Sequence, residues 1–279
     1  MNKLIVDIPL DVPDDKKEDY LENYKRITKE TGKLLFLAGD QRIEHLNDDF
    51  YGENIHADDA DPEHLFQIAS KSKIKLLATQ FGLITRYADK YRDIDYIVKL
   101  NSKTNLTNTE PFSELLTSID DVVELKKESQ VNILAVGYTV YLGSKRESEM
   151  LKTASSIIKN AHDNGLIVVL WMYPRGESIQ NEKDPHLIAG GVGVAVSLGA
   201  DFVKVNCINT KDFFNEAIKS SGKVGMICAG GSLTEEFLDN VKFQIDNGAR
   251  GIAVGRNIHQ KSLEEAIIIA NKIYSLCIN

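Results

Sequence analysis

Two lysines in this chain stand in the middle of apolar runs, Lys204 in DFVKVN at 201–206 and Lys99 in DYIVKLN at 95–101. Alternation along an extended strand puts Phe202, Lys204 and Asn206 on one face and Val203 and Val205 on the other. If the valines face outward, the Lys204 amine lies inside the fold, where burial disfavours the ammonium and lowers its pKa. A neutral amine attacks a carbonyl and loses water to give a Schiff base. An interior lysine neutralised by a carboxylate would leave the same trace in sequence. Spacing does not choose between Lys204 and Lys99.

Other residues could serve such chemistry. In WMYPRGES, Trp171, Tyr173 and Arg175 occupy alternate positions. Tyr173 offers a phenol that can shuttle a proton, Arg175 a fixed cation, and Trp171 an apolar wall that keeps an iminium dry. Asp40 closes the run LLFLAGD, where a carboxylate could orient the amine or handle protons. Two glycine turns follow later runs: Gly230-Gly231-Ser232, and Gly255 followed by Arg256. Glycine lets a backbone approach a phosphate closely, and arginine adds a charge-assisted contact. Loops after the last two strands of a (β/α)8 barrel are a recurrent phosphate site.

These residues need elements to bring them together. Eight apolar, β-rich runs alternate with helical patterns: LLFLAG, IKLLATQ, DYIVKLN, NILAVG, LIVVLWMY, DFVKVN, KVGMICAGG and GIAVGR. Helix starts are predicted at Asp61-Pro62 and Asp184-Pro185, αL ends at Gly165, Gly199 and Gly248, and capping boxes at Ser232 to Glu235 and Ser262 to Glu265. An open Rossmann-type sheet would want GxGxxG after the first strand, which LAGDQRIEH lacks. The chemistry-bearing residues fall at the C-terminal ends of different strands, where a barrel converges them on one face and an open sheet would spread them out. The predicted fold is an α/β (β/α)8 TIM barrel, one domain over 1–279, with an extension and helix in 1–32 that plug the barrel's bottom.

Composition limits the partners. The net charge of −8 argues against nucleic acid and anionic membranes, which need a concentrated basic surface. No stretch approaches the ~20 apolar residues of a membrane helix, and the start lacks a secretory signal, so a soluble, cytoplasmic protein is expected. Three cysteines without CxxC spacing read as buried free thiols. The acid- and histidine-rich loop holding Glu44, His45, Asp48, Asp49, His56, Asp58, Asp59, Asp61 and His64 invites a zinc site. Its spacings match no compact ligand motif, and several acids read as caps or solvated residues, so no metal and no cofactor are expected.

In order along the chain, DxxIEH at 40–45, IVKLNSKT at 97–104, WMYPRG at 171–176, GADFVKV at 199–205, Gly230-Gly231 and Gly255-Arg256-Asn257 resemble the archaeal-type class I fructose-bisphosphate aldolases of the DeoC/LacD superfamily. The resemblance runs from about Leu34 to the last helix. It implies that Lys204, not Lys99, forms the Schiff base, that Tyr173 is the general acid/base and that Asp40 assists. It further implies that Trp171 shapes the pocket, that the glycine turns and Arg256 hold a 1-phosphate, and that the protein is a homo-oligomer acting on a sugar phosphate. Lys99, Arg175 and Ser232 are expected among the substrate-binding residues. The chain departs from the family where Asp40-Gln41-Arg42 replaces Asp-His-Gly, and where the loop 46–62 is long. Around LAGDQRIEHLNDDFYGENIH it resembles equally the branch that passes a ketose fragment to methylglyoxal, the 6-deoxy-5-ketofructose 1-phosphate synthases. A barrel that binds a sugar phosphate without catalysis is the alternative of another class.

Overall fold

The structure, a computed structural model, describes residues 4–107, 110–230 and 236–278. Its strands are β1 Leu34–Ala38, β2 Leu76–Gln80, β3 Asp95–Lys99, β4 Ile133–Leu142, β5 Ile167–Pro174, β6 Phe202–Val205, β7 Gly225–Ala229 and β8 Gly251–Val254. They run parallel in chain order and close through pairing of β1 with β8, giving the expected TIM barrel. The strands are buried on both faces, which is why their sequences read as continuous apolar runs rather than as alternation.

Two cores divide the side chains by strand parity. Leu35, Leu37, Val203 and Val205 pack outward in the layer shared with the helices. Phe36, Ala38, Trp171 and Phe202 pack inward. The inner core continues into the N-terminal helix Lys17–Ile27, whose Tyr20, Tyr24 and Ile27 are buried in it. Tyr24 stacks on Phe202 with ring centroids 5.4 Å apart, and Asn23 Nδ2 donates to the Gly165 carbonyl (2.8 Å). Both partners lie at the N-terminal ends of β5 and β6, so this helix covers the bottom of the barrel as expected.

The helix punctuation follows the sequence closely. Asp184 accepts from the backbone of His186 and Leu187 with Pro185 at the first helical position. Asp61 accepts from Glu63 N (2.9 Å), although Pro62, expected at the first helical position, is itself the N-cap of the helix Glu63–Lys71; Ser262 Oγ accepts from Glu265 N (3.3 Å). Gly165, Gly199 and Gly248 have φ of +67°, +95° and +103°. The Ser232 to Glu235 box lies outside the described residues. No helix among the described residues is long and apolar enough to cross a membrane.

The cysteines require a correction. Cys207 and Cys228, expected as free thiols, form a disulfide with Cα atoms 5.4 Å apart, whereas Cys277 is free and buried. Val205 pairs with Cys228 across β6 and β7, so the chain two residues beyond Val205 meets Cys228 at bonding distance. Sequence spacing carries no sign of that register.

Candidate active site

At the C-terminal mouth of the barrel lies a cavity of about 180 Å³. Asp40, Lys99, Trp171, Tyr173, Arg175, Lys204, Gly230, Gly255 and Arg256 all line it. Gly231 and Ser232 lie outside the described residues. Strand register explains the convergence: Trp171 on β5 is the partner of Lys204 on β6 and of Thr139 on β4, and Lys99 on β3 is the partner of Gly137 on β4.

The two lysines differ in their partners. Lys99 is 4% exposed, and its Nζ donates to the carbonyl (2.6 Å) and side-chain Oδ1 (2.7 Å) of Asn101. Burial pushes its pKa down to about 8, against the opposing pull of Asp40 and Glu44. Lys204 is 7% exposed and has no hydrogen-bond or ion-pair partner among the described residues. Its Nζ stands 5.3 Å from the Trp171 ring centroid and 5.8 Å from that of Tyr173. Burial holds its pKa below the ordinary lysine value, with Asp40 and Glu44 acting in the opposite sense. Tyr173 is pushed well above the ordinary phenol value by burial first, then by Asp40 and Glu44. The resting group is therefore the neutral phenol. Trp171 is 1% exposed, and its Nε1 is buried without a partner among the described residues.

Residues 34–261 match the model of the DeoC/LacD family aldolases. The chain belongs to this family. Over its whole length it is 54% identical to the fructose-bisphosphate aldolase/6-deoxy-5-ketofructose 1-phosphate synthase of Methanocaldococcus jannaschii, covering 92% of that protein. The fructose-bisphosphate aldolase of Slackia heliotrinireducens is similar in structure with a TM-score of 0.95 and 46% identity, over 99% of this chain and 92% of that one. An archaeal fructose-1,6-bisphosphate aldolase with its catalytic lysine covalently bound to the carbinolamine intermediate aligns at a TM-score of 0.83 and 33% identity, over 93% and 100% of the two chains.

The glycine turns of this aldolase work sterically. The Gly230 amide donates to the Ala253 carbonyl (2.8 Å) and the Gly255 amide to Asn257 Oδ1 (3.0 Å), so both are engaged within the protein. A Cβ on Gly230 would lie 2.8 Å from Asn257 Nδ2 and 2.9 Å from the Ala253 carbonyl oxygen, and one on Gly255 would lie 2.6 Å from Gln41 Nε2. Glycine keeps these turns close together.

Sequence reasoning missed one group of lining residues. β4 was expected to end at Gly137 but continues to Leu142, which brings Thr139 and Tyr141 to the mouth. Tyr141 OH donates to Glu44 Oε1 (3.3 Å), and Arg175 Nη1 pairs with the same oxygen (3.1 Å) while its Nε faces Glu182 (3.4 Å). The alternation Gly137, Thr139, Tyr141 was a readable signal for this inward face. The acid-rich loop has other partners: Asp61 accepts from Glu63 N (2.9 Å), Asp58 accepts from Leu263 N (3.2 Å) and Asp59 pairs with His259.

Proposed function

We propose that this chain is a metal-independent class I aldolase that cleaves or forms the C3–C4 bond of a ketose 1-phosphate. Its leading substrate is fructose 1,6-bisphosphate, cleaved to dihydroxyacetone phosphate and glyceraldehyde 3-phosphate. The observation that carries this reading is the contrast between the lysines: both are buried and depressed in pKa, but Lys99 is held by Asn101, whereas Lys204 has no hydrogen-bond partner among the described residues and stands beside Tyr173. The family and its Schiff-base relatives support it.

On this reading neutral Lys204 adds to C2 of the ketose to give a carbinolamine. The protonated Tyr173 phenol gives its proton to the departing hydroxyl, which leaves as water, and an iminium forms. The new cation stabilises the phenolate beside it. The phenolate then takes the C4 hydroxyl proton as the C3–C4 bond breaks, its electron pair entering the iminium to give an enamine. Protonation at C3 and hydrolysis return the free lysine. Trp171 keeps the iminium from bulk water and offers its N–H to a substrate oxygen. Asp40 assists at the amine, Arg256 holds the 1-phosphate beside the glycine turns, and Arg175 and Lys99 complete the substrate contacts. The reading includes one domain from end to end, a homo-oligomer, and a cytoplasmic location, where phosphorylated sugars are kept. The Cys207–Cys228 bond is the observation that opposes a reducing compartment.

A second reading is favoured by the double name of the 54% identical relative: the enamine is captured by methylglyoxal rather than protonated, making the protein a transferase. Borohydride reduction in the presence of dihydroxyacetone phosphate, followed by peptide mass mapping, is expected to add the ligand to Lys204 and not to Lys99. An adduct on Lys99, or none, would overturn the mechanism. Adding methylglyoxal to the fructose 1,6-bisphosphate assay separates the two products, since only a transferase yields a new six-carbon ketose.

A further inference from the structure

The loop 46–62 takes no part in the chemistry above, yet its buried groups close on the short helix Arg256–His259 that presents Arg256. Asp59 and His259 are both fully buried and paired, Oδ2 to Nδ1, at 2.7 Å. Phe50 stacks on the His259 ring at 5.0 Å with 10° between planes, and the Arg42 guanidinium lies 4.0 Å over its ring. Arg42 also donates to the Asp59 carbonyl (2.9 Å), and His64 Nε2 lies 3.0 Å from the His259 carbonyl. Backbone contacts continue the attachment: His56 N donates to the Gln260 carbonyl (3.0 Å), and Gln260 Nε2 to that of Asp49 (2.9 Å).

Asp49 meets two residues that line the pocket, His45 and Arg256. One carboxylate oxygen bonds His45 Nδ1, and the other is 3.6 Å from Arg256 Nη1. That separation is beyond hydrogen-bond reach, so Asp49 directs the guanidinium by charge without occupying its N–H groups. A helix of one turn has no rigidity of its own, and a free arginine side chain loses much rotamer entropy when it is ordered.

We propose that the loop 46–62 is a strap that positions Arg256 for the substrate phosphate, with the Asp59–His259 pair as its anchor and Asp49 as the group that aims the guanidinium. The proposal rests on the assignment of Arg256 as the phosphate contact. It has an unusual sign. Removing a carboxylate beside an anion site should tighten phosphate binding if charge alone mattered, whereas loss of positioning weakens it.

Calorimetric titration of the full-length protein with inorganic phosphate tests this in Asp49→Asn, Asp59→Asn, Arg256→Ala and the Asp49→Asn/Arg256→Ala double variant. Each strap variant is expected to weaken binding by roughly 3- to 30-fold, as for neighbours in one network. The same loss should appear in KM for the phosphorylated ketose, with kcat within about twofold. In the Arg256→Ala background Asp49→Asn should add nothing, an outcome that a general loosening of the fold would not give. Because Asp59→Asn disturbs a buried pair, Asp49→Asn decides if that variant fails to fold. Unchanged or tighter binding in Asp49→Asn, or an equal loss in both backgrounds, would overturn the strap while Arg256→Ala still weakens binding. If Arg256→Ala leaves phosphate binding intact, the phosphate assignment falls and the strap falls with it.

Discussion

Lys99 and Lys204 approach the same indole, with Nζ atoms 5.5 Å and 5.3 Å from the Trp171 ring, so the aromatic wall does not distinguish them. Hydrogen bonding does. Two acceptors on Asn101 favour the ammonium of Lys99, while the amine of Lys204 has no hydrogen-bond partner among the described residues and feels Asp40 and Glu44 through charge alone. Burial keeps the Tyr173 phenol protonated, as the proposed proton transfer to the departing hydroxyl requires. Tyr173→Phe keeps the ring and removes the proton. Steady-state kinetics should show kcat lowered about 10²- to 10⁴-fold, the usual worth of a general acid/base, with KM little changed. A variant that changed KM alone would place Tyr173 in binding rather than in proton transfer.

The strand ends set the pocket's dimensions, and β4 sets them most tightly. Gly137 lies between Lys99 and Val169 in the sheet, and a Cβ there would come within 2.2 Å of Trp171 Cζ3 and 2.5 Å of its Cη2. The indole is 1% exposed and cannot yield without entering the cavity beside Lys204. Gly137→Ala is therefore expected to cost about 1 to 3 kcal/mol of stability, as overpacked cores do. It should also slow borohydride trapping of Lys204. Gly190→Ala, in the helix Pro185–Leu198 with nothing within 4 Å of the added methyl, is the control and should do neither. Denaturant melts and trapping rates on the two variants check the pair. Normal trapping in Gly137→Ala would mean that Trp171 does not bound the reacting site.

At the scale of the whole molecule, the closed end of the barrel depends on a buried polar network. Asp201 precedes β6 and accepts from Tyr20 OH, from Val168 N (2.7 Å) and from His162 Nε2 (3.3 Å). Nδ1 of the same histidine reaches Asp11 at 2.9 Å. Burial alone would lower the His162 pKa, but the carboxylates of Asp201 and Asp11 outweigh it and hold the imidazole above its ordinary value. A folded-state pKa raised in this way contributes stability that is fully present below the unfolded pKa of about 6.5 and is lost as pH rises through the folded value. His162→Gln should therefore destabilise the protein most at low pH, the deficit narrowing as pH rises above neutrality. Thermal melts across that range test the sign, and a deficit that widens with pH would contradict it.

Much of this protein is legible along the chain because its causes are local. The doubly buried strands, the helix caps, the αL glycines and the inward direction of Lys204 each follow from a few neighbouring residues and a period of two or 3.6. The choice of Lys204 over Lys99 was not local, since spacing left both open and only the resemblance separated them. Tertiary structure decided what depends on residues far apart meeting at fixed register. Cys207 meets Cys228 because β6 and β7 pair at Val205 and Cys228. Tyr141 meets Glu44 across 97 positions, and Asp59 meets His259 across 200. The loop with the most acids and histidines was therefore the least readable segment. Its residue types suit caps, metal ligands and buried hydrogen-bonded pairs equally, and closure of the barrel, which sets β8 and its following helix beside β1, selects the buried pair of Asp59 and His259.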